Sequence, residues 1–402
     1  MGNAAHPLPL ADIRVVELGS LIAGPFTGRI LGDFGAEVIK VEAPDRPDPL
    51  RMWGERLEGQ GLFWPIQARN KKCITLNLRE PKGQDLFRQL LPHVDVVVEN
   101  FRPGTLEKWN LGYEAMSAVN PGLILVRTSG FGQTGPYKDR AGFGSIGEAM
   151  GGIRYVTGHP DRPPVRTGIS IGDSLAGLYA AIGCLVALHE RGRSGRGQVV
   201  DTALYEAVFG VMESIIPEYG LLGHIRERSG NILPGVAPSN IYATADGSWI
   251  AIGANADTVF RRLCAAMGRP ELAEDERFAT HIARGEHQEE LDDLIESWTK
   301  TRTCEELLEM LAQSGVPAGR IYNARDMFHD PHYRARDMIL EVDHPVFGRF
   351  PMPGVVPKLS RTPGKVRHPG PPALGEHNRD IYEGLLGLSP SAVDTLKSEG
   401  II

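Results

Sequence analysis

The sequence predicts an α/β protein whose main domain is an open parallel sheet, accompanied by a smaller second domain. Three observations carry this reading. The chain up to Glu42 contains a strand–helix–strand unit of about 30 residues. Apolar runs and helical patterns then keep alternating to about residue 129, as in a doubly wound sheet. Finally, 402 residues exceed the ~100–200 typical of one domain.

Residues 13–18 are an apolar run with the character of a buried strand. Gly19 to Pro25 turns the chain into a helix ending near Gly32 or Gly35, and residues 36–42 supply the second strand. Parallel neighbours joined this way take a right-handed crossover. Further strands are expected at 73–78, 94–99 and 123–129, with a helix over 81–91. From Gly130 to residue 164 the chain is rich in Gly and Pro, then enters an apolar helix over 174–191. Its uninterrupted run of about 14 residues is too short to cross a bilayer and reads as a buried helix. A polar turn at 191–198 leads to a strand at 199–203 and a helix at 204–222. The loop with Gly230, Pro234, Gly235 and Pro238 introduces a second unit, with a strand at 249–253 and helices at 257–267, 285–299 and 304–314. The tail from Met338 is Pro-rich, with a last helix near 380–386.

Composition narrows the function. A hydrophobic share of 42% rules out a disordered chain, and a net charge of −7 supplies no basic footprint for nucleic acid. Cys73, Cys184, Cys264 and Cys304 are far apart and form no CxxC pair, which argues against a zinc cluster or disulfide scaffold and fits a reducing cytoplasm. Residues 1–6 lack the basic segment and apolar core of a signal peptide. A cytoplasmic protein with no membrane partner is expected.

Three segments bear chemistry. Gly19–Pro25 follows the first strand, but its glycines do not match G-x-G-x-x-G and no GKS or GKT follows, which argues against NAD and ATP. This turn admits both a ligand contact and a purely structural role. Asn100-Phe101-Arg102-Pro103-Gly104 follows a strand, with Lys108 one turn later. Ligands of open α/β sheets gather beyond the carboxyl ends of strands. An amide, an aromatic face and two cations there suit a nucleotide with phosphates, and a solvated basic loop is the alternative. Gly172-Asp173-Ser174 precedes the apolar helix, where Asp is a favoured N-cap. The helix dipole there also lowers a carboxylate's pKa, as covalent catalysis by Asp requires. Cap and nucleophile both fit. His329-Asp330-Pro331-His332 has no third ligand nearby and reads as a loop, and neither HExxH nor GxSxG occurs.

Taken in order, Leu21-Ile22-Ala23-Gly24-Pro25, residues 32–42, Val98-Glu99-Asn100-Phe101-Arg102-Pro103-Gly104, residues 130–136, Gly172-Asp173, residues 193–198, Ser314-Gly315-Val316-Pro317 and residues 374–378 resemble the class III CoA-transferase family, also called CaiB/BaiF. The resemblance implies a large Rossmann-like domain made from both chain ends (1–203 and 330–402), a smaller inserted α+β domain (225–325), linkers at 204–224 and 326–329, and an interlocked homodimer. It implies that Asp173 attacks an acyl-CoA thioester, giving an anhydride and then an aspartyl-CoA thioester. Leu76, Asn100, Phe101, Arg102, Lys108, Arg140 and Phe143 fall at CoA-binding positions. The family's basic contact after the second strand falls on Ala43, leaving Arg46 as a substitute. Ile22 stands where formyl-CoA transferase has Gln, and the Gly230–Pro238 loop, with Gly230 and Gly235, is shorter than that enzyme's glycine-rich loop; a lid over Asp173 is expected of it, with an ordinary interdomain linker as the alternative. Formate and oxalate are thereby disfavoured, and succinyl-CoA with a dicarboxylate or hydroxyacid acceptor is expected. The CoA thioester is a substrate, and no metal or redox cofactor is expected. Related α-methylacyl-CoA racemases need a His where this chain has Phe143, which cannot exchange protons. A CoA-binding protein without catalysis would lack the nucleophile, and Asp173 is present.

Overall fold

The computed structural model describes residues 7–402; residues 1–6, read above for a leader signal, lie outside the described residues. Two compact units are present. One runs to Ile153 and resumes over Thr167–Ser214 and Pro331–Ile402; the other takes Arg154–Arg166 and Ile215–Asp330.

The first unit is built on six parallel strands: β1 (Arg14–Glu17), β2 (Glu37–Glu42), β3 (Lys71–Thr75), β4 (Val96–Glu99), β5 (Ile124–Ser129) and β6 (Val199–Ala203). Their order is β3-β2-β1-β4-β5-β6. Side chains alternate across a strand, and apolar residues of the central strands pack on both faces of this sheet. Val16, Ile39, Val97 and Leu125 pack with Leu86 and Phe87 of α2 (Pro81–Leu90) and with Tyr382 and Leu396 of the returning tail. Val15, Val38, Val96 and Ile124 face the other way, with Leu31 of α1 (Ala23–Asp33). Two further helices shape the site: α3 (Gly144–Met150) and α4 (Ile171–Ser194).

Helix α4 has 24 residues, longer than the expected run, so by length and composition alone it would reach across a bilayer. In the fold its small residues Ala180, Cys184 and Ala187 lie in the sheet's core instead. A Cβ on Gly177 would come within 2.9 Å of the Ala23 carbonyl oxygen, so glycine lets α4 lie close against α1. The tail is tied back to β3, where the buried Tyr382 hydroxyl donates to the Thr75 carbonyl at 2.7 Å.

Other elements also differ from the expectation. The third strand, at Lys71–Thr75, begins earlier than the expected 73–78. The 204–222 helix is broken into Leu204–Phe209 and Ile215–Leu222, with Glu213 at φ 52° between them. The 285–299 helix begins at Gln288, behind a separate turn of helix at His281–Glu286. The Pro-rich tail contains a hairpin, Ile339–His344 with Gly348–Pro353, because each strand of a two-stranded ribbon is an edge and tolerates proline. The helix expected near 380–386 is Asn378–Tyr382, and a further, unexpected helix follows at Pro390–Ser398, begun by Ser389, whose side chain accepts the Ala392 N–H, with Pro390 in its first turn.

The second unit carries a three-stranded antiparallel sheet, β7 (Ser239–Ala243), β8 (Trp249–Gly253) and β9 (Ala318–Arg320), in the order β9-β8-β7. Phe260, Leu263, Leu291, Ile295, Leu307 and Leu311 from its helices close a separate core.

Candidate active site

The chain leaves β1 toward β2 on one side, while β4 continues toward β5 on the other. The crevice beyond the carboxyl ends of β1 and β4 is therefore the switch point at which such sheets bind ligands. The two loops that flank it are locked together. Asn100 Oδ1 accepts the Ser20 N–H at 2.8 Å, and Asn100 Nδ2 donates to the Ser20 carbonyl at 2.9 Å. A Cβ on Gly19 would stand 2.7 Å from that amide oxygen, so the glycine after β1 makes the room. The amide that the sequence assigns to a nucleotide is thus engaged by the turn.

The rest of the turn is held as firmly. Lys40 Nζ donates to the Gly19 carbonyl, and Gln67 Nε2 donates to the Ile22 carbonyl at 3.0 Å. Leu21, at φ 65°, directs its N–H at Asp48 Oδ1 and Oδ2, 3.0 and 3.2 Å away. Asp48 in turn lies 2.9 Å from Lys40 Nζ, with both residues buried. Burial works to raise the Asp48 carboxyl, but Lys40 and the Leu50 and Leu21 amides outweigh it and hold the group below the ordinary carboxylate range. Lys40 is likewise opposed by burial, yet Asp48 and Glu17 push it above the usual lysine value.

Beyond this turn lies an inner cleft of about 130 Å³ whose lining includes Ile22, Asn100, Phe101, Arg102, Arg140, Phe143 and Asp173. These expected site residues are therefore brought together. The sequence places Asp173 just before α4 as a cap, and the structure places it inside the helix. The helix begins at Ile171 with Ser170 in the cap position, so Asp173 lies within its first turn, where the dipole still favours a negative charge. A Cβ on Gly144 would fall 2.0 Å from Asp173 Oδ2. The carboxylate thus rests against the start of α3 at a place only glycine leaves open, a constraint the sequence reading missed. Arg140 stacks its guanidinium 3.6 Å from the centre of the Tyr137 ring.

An outer cleft of about 360 Å³ shares Ser20 and Phe101 with the inner one and contains Leu76, Ala43 and Arg46. Arg46 reaches this place because its N–H bonds back to the Ala43 carbonyl at 3.2 Å, closing a turn that sets it beside Ala43. Arg79 and Trp109, which the sequence reading passed over, line it too; Trp109 meets Phe101 edge-on with ring centres 5.4 Å apart. Lys108 is exposed on the short helix Thr105–Lys108 and lines neither cleft. Gly230 and Gly235 belong to the second unit, at φ 70° and 78°. The loop's end is pinned there by the buried Arg284, which donates to the Ala237 carbonyl at 3.1 Å. Among the described residues, no group of three or more His, Cys, Asp or Glu side chains is placed to hold a metal ion.

The Asn100 clamp makes a direct prediction. Asn100→Ala leaves the Ser20 N–H and carbonyl without their partner and lowers stability by about 1–3 kcal/mol. Hydrogen exchange followed by mass spectrometry should show faster exchange over residues 19–23, with the β5 amides unchanged; equal protection in both proteins would refute the clamp.

Residues 10–378 match the model of CoA-transferase family III. Over 403 residues the chain is 63% identical to succinyl-CoA–D-citramalate CoA-transferase of Chloroflexus aurantiacus, covering 100% of both chains. It is 42% identical over 406 residues to the beta subunit of succinyl-CoA–L-malate CoA-transferase from the same organism, again covering 100% of both. Among solved structures, a CaiB/BaiF family protein from Brucella suis superposes with a TM-score of 0.84 at 38% identity, over 94% of this chain and 100% of that one. With a parallel sheet, a switch-point cleft and a match over nearly its whole length, the chain belongs to CoA-transferase family III and is a CoA-transferase.

Proposed function

We propose that the enzyme moves CoA from succinyl-CoA to a hydroxylated dicarboxylate of the citramalate type, with Asp173 as the nucleophile. The observation that carries this is the Asp173 carboxylate in the inner cleft, one end of a path whose outer end holds Arg46, Arg79 and Trp109. Phosphates and adenine of CoA suit the two cations and the indole, and the thioester then extends past Phe101 toward Asp173.

In this reading the Asp173 carboxylate attacks the thioester carbonyl and the C–S bond breaks, leaving a succinyl-aspartyl anhydride and CoA thiolate. The thiolate attacks the aspartyl carbonyl and releases succinate, giving the aspartyl-CoA thioester. The acceptor carboxylate attacks that thioester, again expelling thiolate, which attacks the acceptor's carbonyl and restores Asp173. No proton or electron is gained or lost over the cycle. The apolar Ile22 wall fits a succinyl chain better than a formyl group. The four buried, free cysteines support a reducing cytoplasm as the location.

Asp173→Asn should fold as the parent does, since the change costs a first-turn residue only tenths of a kcal/mol (~0.5). It should abolish transfer, because an amide cannot form the anhydride. Hydroxylamine added during turnover with succinyl-CoA should mark Asp173 in the parent and nothing in the variant; a variant with substantial transfer, free of deamidated protein by mass spectrometry, would refute the role.

Arg46→Ala should raise KM for succinyl-CoA about fivefold or more while kcat changes less than about twofold, the pattern of lost uniform binding. An unchanged KM would remove Arg46 from the CoA site.

The exposed apolar residues Leu178, Ile182, Leu185 and Val186 of α4, 41–62% accessible, support burial against a second copy in an interlocked homodimer. Light scattering should give twice the chain mass at micromolar concentration, and a monomer there would contradict the dimer.

A further inference from the structure

We propose that Asp48 is a positioning residue for CoA transfer, acting on the reaction through the backbone of Leu21. The proposal rests on the Asp173 reading for what the inner cleft does, and on separate observations for what Asp48 does.

Leucine disfavours a φ of 65°, and such a conformation persists only where its surroundings over-determine it. At Leu21 the surroundings are Asn100 on the Ser20 side, Gln67 on the Ile22 side and Asp48 at the Leu21 N–H itself. Leu21 lines the inner cleft with Asp173, while Asp48 does not. Asp48 lies at the floor of the outer cleft and is 5% exposed, so its influence on the reacting carbonyl passes through the turn.

The demand at position 48 is for a carboxylate and nothing else. Oδ1 accepts from the Leu21 and Leu50 amides, and Oδ2 accepts from Lys40 Nζ and again from Leu21. Both oxygens face donors only. An amide side chain would set its own NH2 against one of them, whichever way it turned. Asp48 is also fixed from behind: its N–H donates to Glu42 Oε1 at 3.0 Å, and Glu42 is held by Arg51 at 2.7 and 2.8 Å. The chain from Glu42 to Arg51 is therefore a rigid bracket that ends on the Leu21 N–H. A turn released from this bracket relaxes out of the left-handed conformation and moves the Ser20–Ala23 wall relative to Asp173, which a near-attack geometry does not tolerate.

The test uses steady-state transfer from succinyl-CoA by Asp48→Asn, Leu21→Gly and the double variant. Asp48→Asn should lower kcat about tenfold or more. Glycine adopts positive φ without strain, so Leu21→Gly should need the bracket less. The same Asn substitution should then cost Leu21→Gly less than about threefold, and the double variant should be faster than Asp48→Asn alone. A purely structural role for Asp48 does not produce that rescue. Equal losses of kcat in the parent and Leu21→Gly backgrounds, or an Asp48→Asn enzyme of lower thermal stability and unchanged kcat, would overturn the proposal. Should Asp48→Asn not fold, Asp48→Glu keeps the charge, misplaces it by one methylene and is read in the same two backgrounds. Overall transfer is measured whatever chemistry Asp173 performs. Absence of an Asp173 hydroxylamine adduct in the parent would count against the nucleophile and leave the kcat comparison to decide Asp48.

Discussion

The pairing of Lys40 with Asp48, sealed under the turn after β1, is the interaction on which the site's shape depends. Buried ion pairs contribute little net stability, since desolvation consumes most of the attraction. What this one supplies is position. Lys40 points from the second strand to the Gly19 carbonyl and to Asp48, and Asp48 points to Leu21. Glu17 on the first strand lies 3.4 Å from Lys40 and 2.7 Å from Lys71, with both lysines and the glutamate buried. Even Gly28 serves this arrangement, because a Cβ there would fall 1.9 Å from Glu17 Oε2. A charged cluster carried by three neighbouring strands thereby sets the coordinates of a loop that has no regular structure of its own.

The sheet order supplies the second constraint. Reversal of the order of strand connection between the parallel β1 and β4 opens a crevice, and the Asn100–Ser20 clamp spans its base. Asp173 enters from α4, an element that packs on the sheet through alanine and cysteine and is kept close to α1 by glycine. A long helix anchored in the core is a firm mount for one carboxylate. In the proposed reading this firmness serves the reaction, because anhydride and thioester exchange at a single carbonyl demands that several groups return to the same place in every step.

Much of this was legible in the sequence, and the reasons for the rest are physical. The first strand–helix–strand unit and the strand before Asn100 stand where their apolar runs place them, because buried parallel strands leave a nearly continuous apolar record, and the edge strand over residues 199–203 stands where expected although its Val199 and Asp201 are exposed. Asp173 is legible as a carboxylate at a helix start, and the helix begins at Ile171, earlier than its sequence suggests, since Gly172 and Ser174 look like loop residues until the helix's packing is known. The 339–353 hairpin was hidden by Pro351 and Pro353, which an edge strand accepts. Contacts between distant residues left no local mark. Gly144 against Asp173 and the left-handed Leu21 both depend on partners that only the fold supplies.

The central claim, that CoA passes through a covalent bond to Asp173, is tested most directly with an acceptor acid carrying 18O in its carboxylate. When the acceptor attacks the aspartyl thioester and CoA then attacks the acceptor's carbonyl, one acceptor oxygen stays on the enzyme. After a single turnover with succinyl-CoA, the peptide containing Asp173 should therefore be heavier by about 2 Da, with the label on the Asp173 side chain. Transfer to the acceptor with the Asp173 peptide unlabelled would contradict the account.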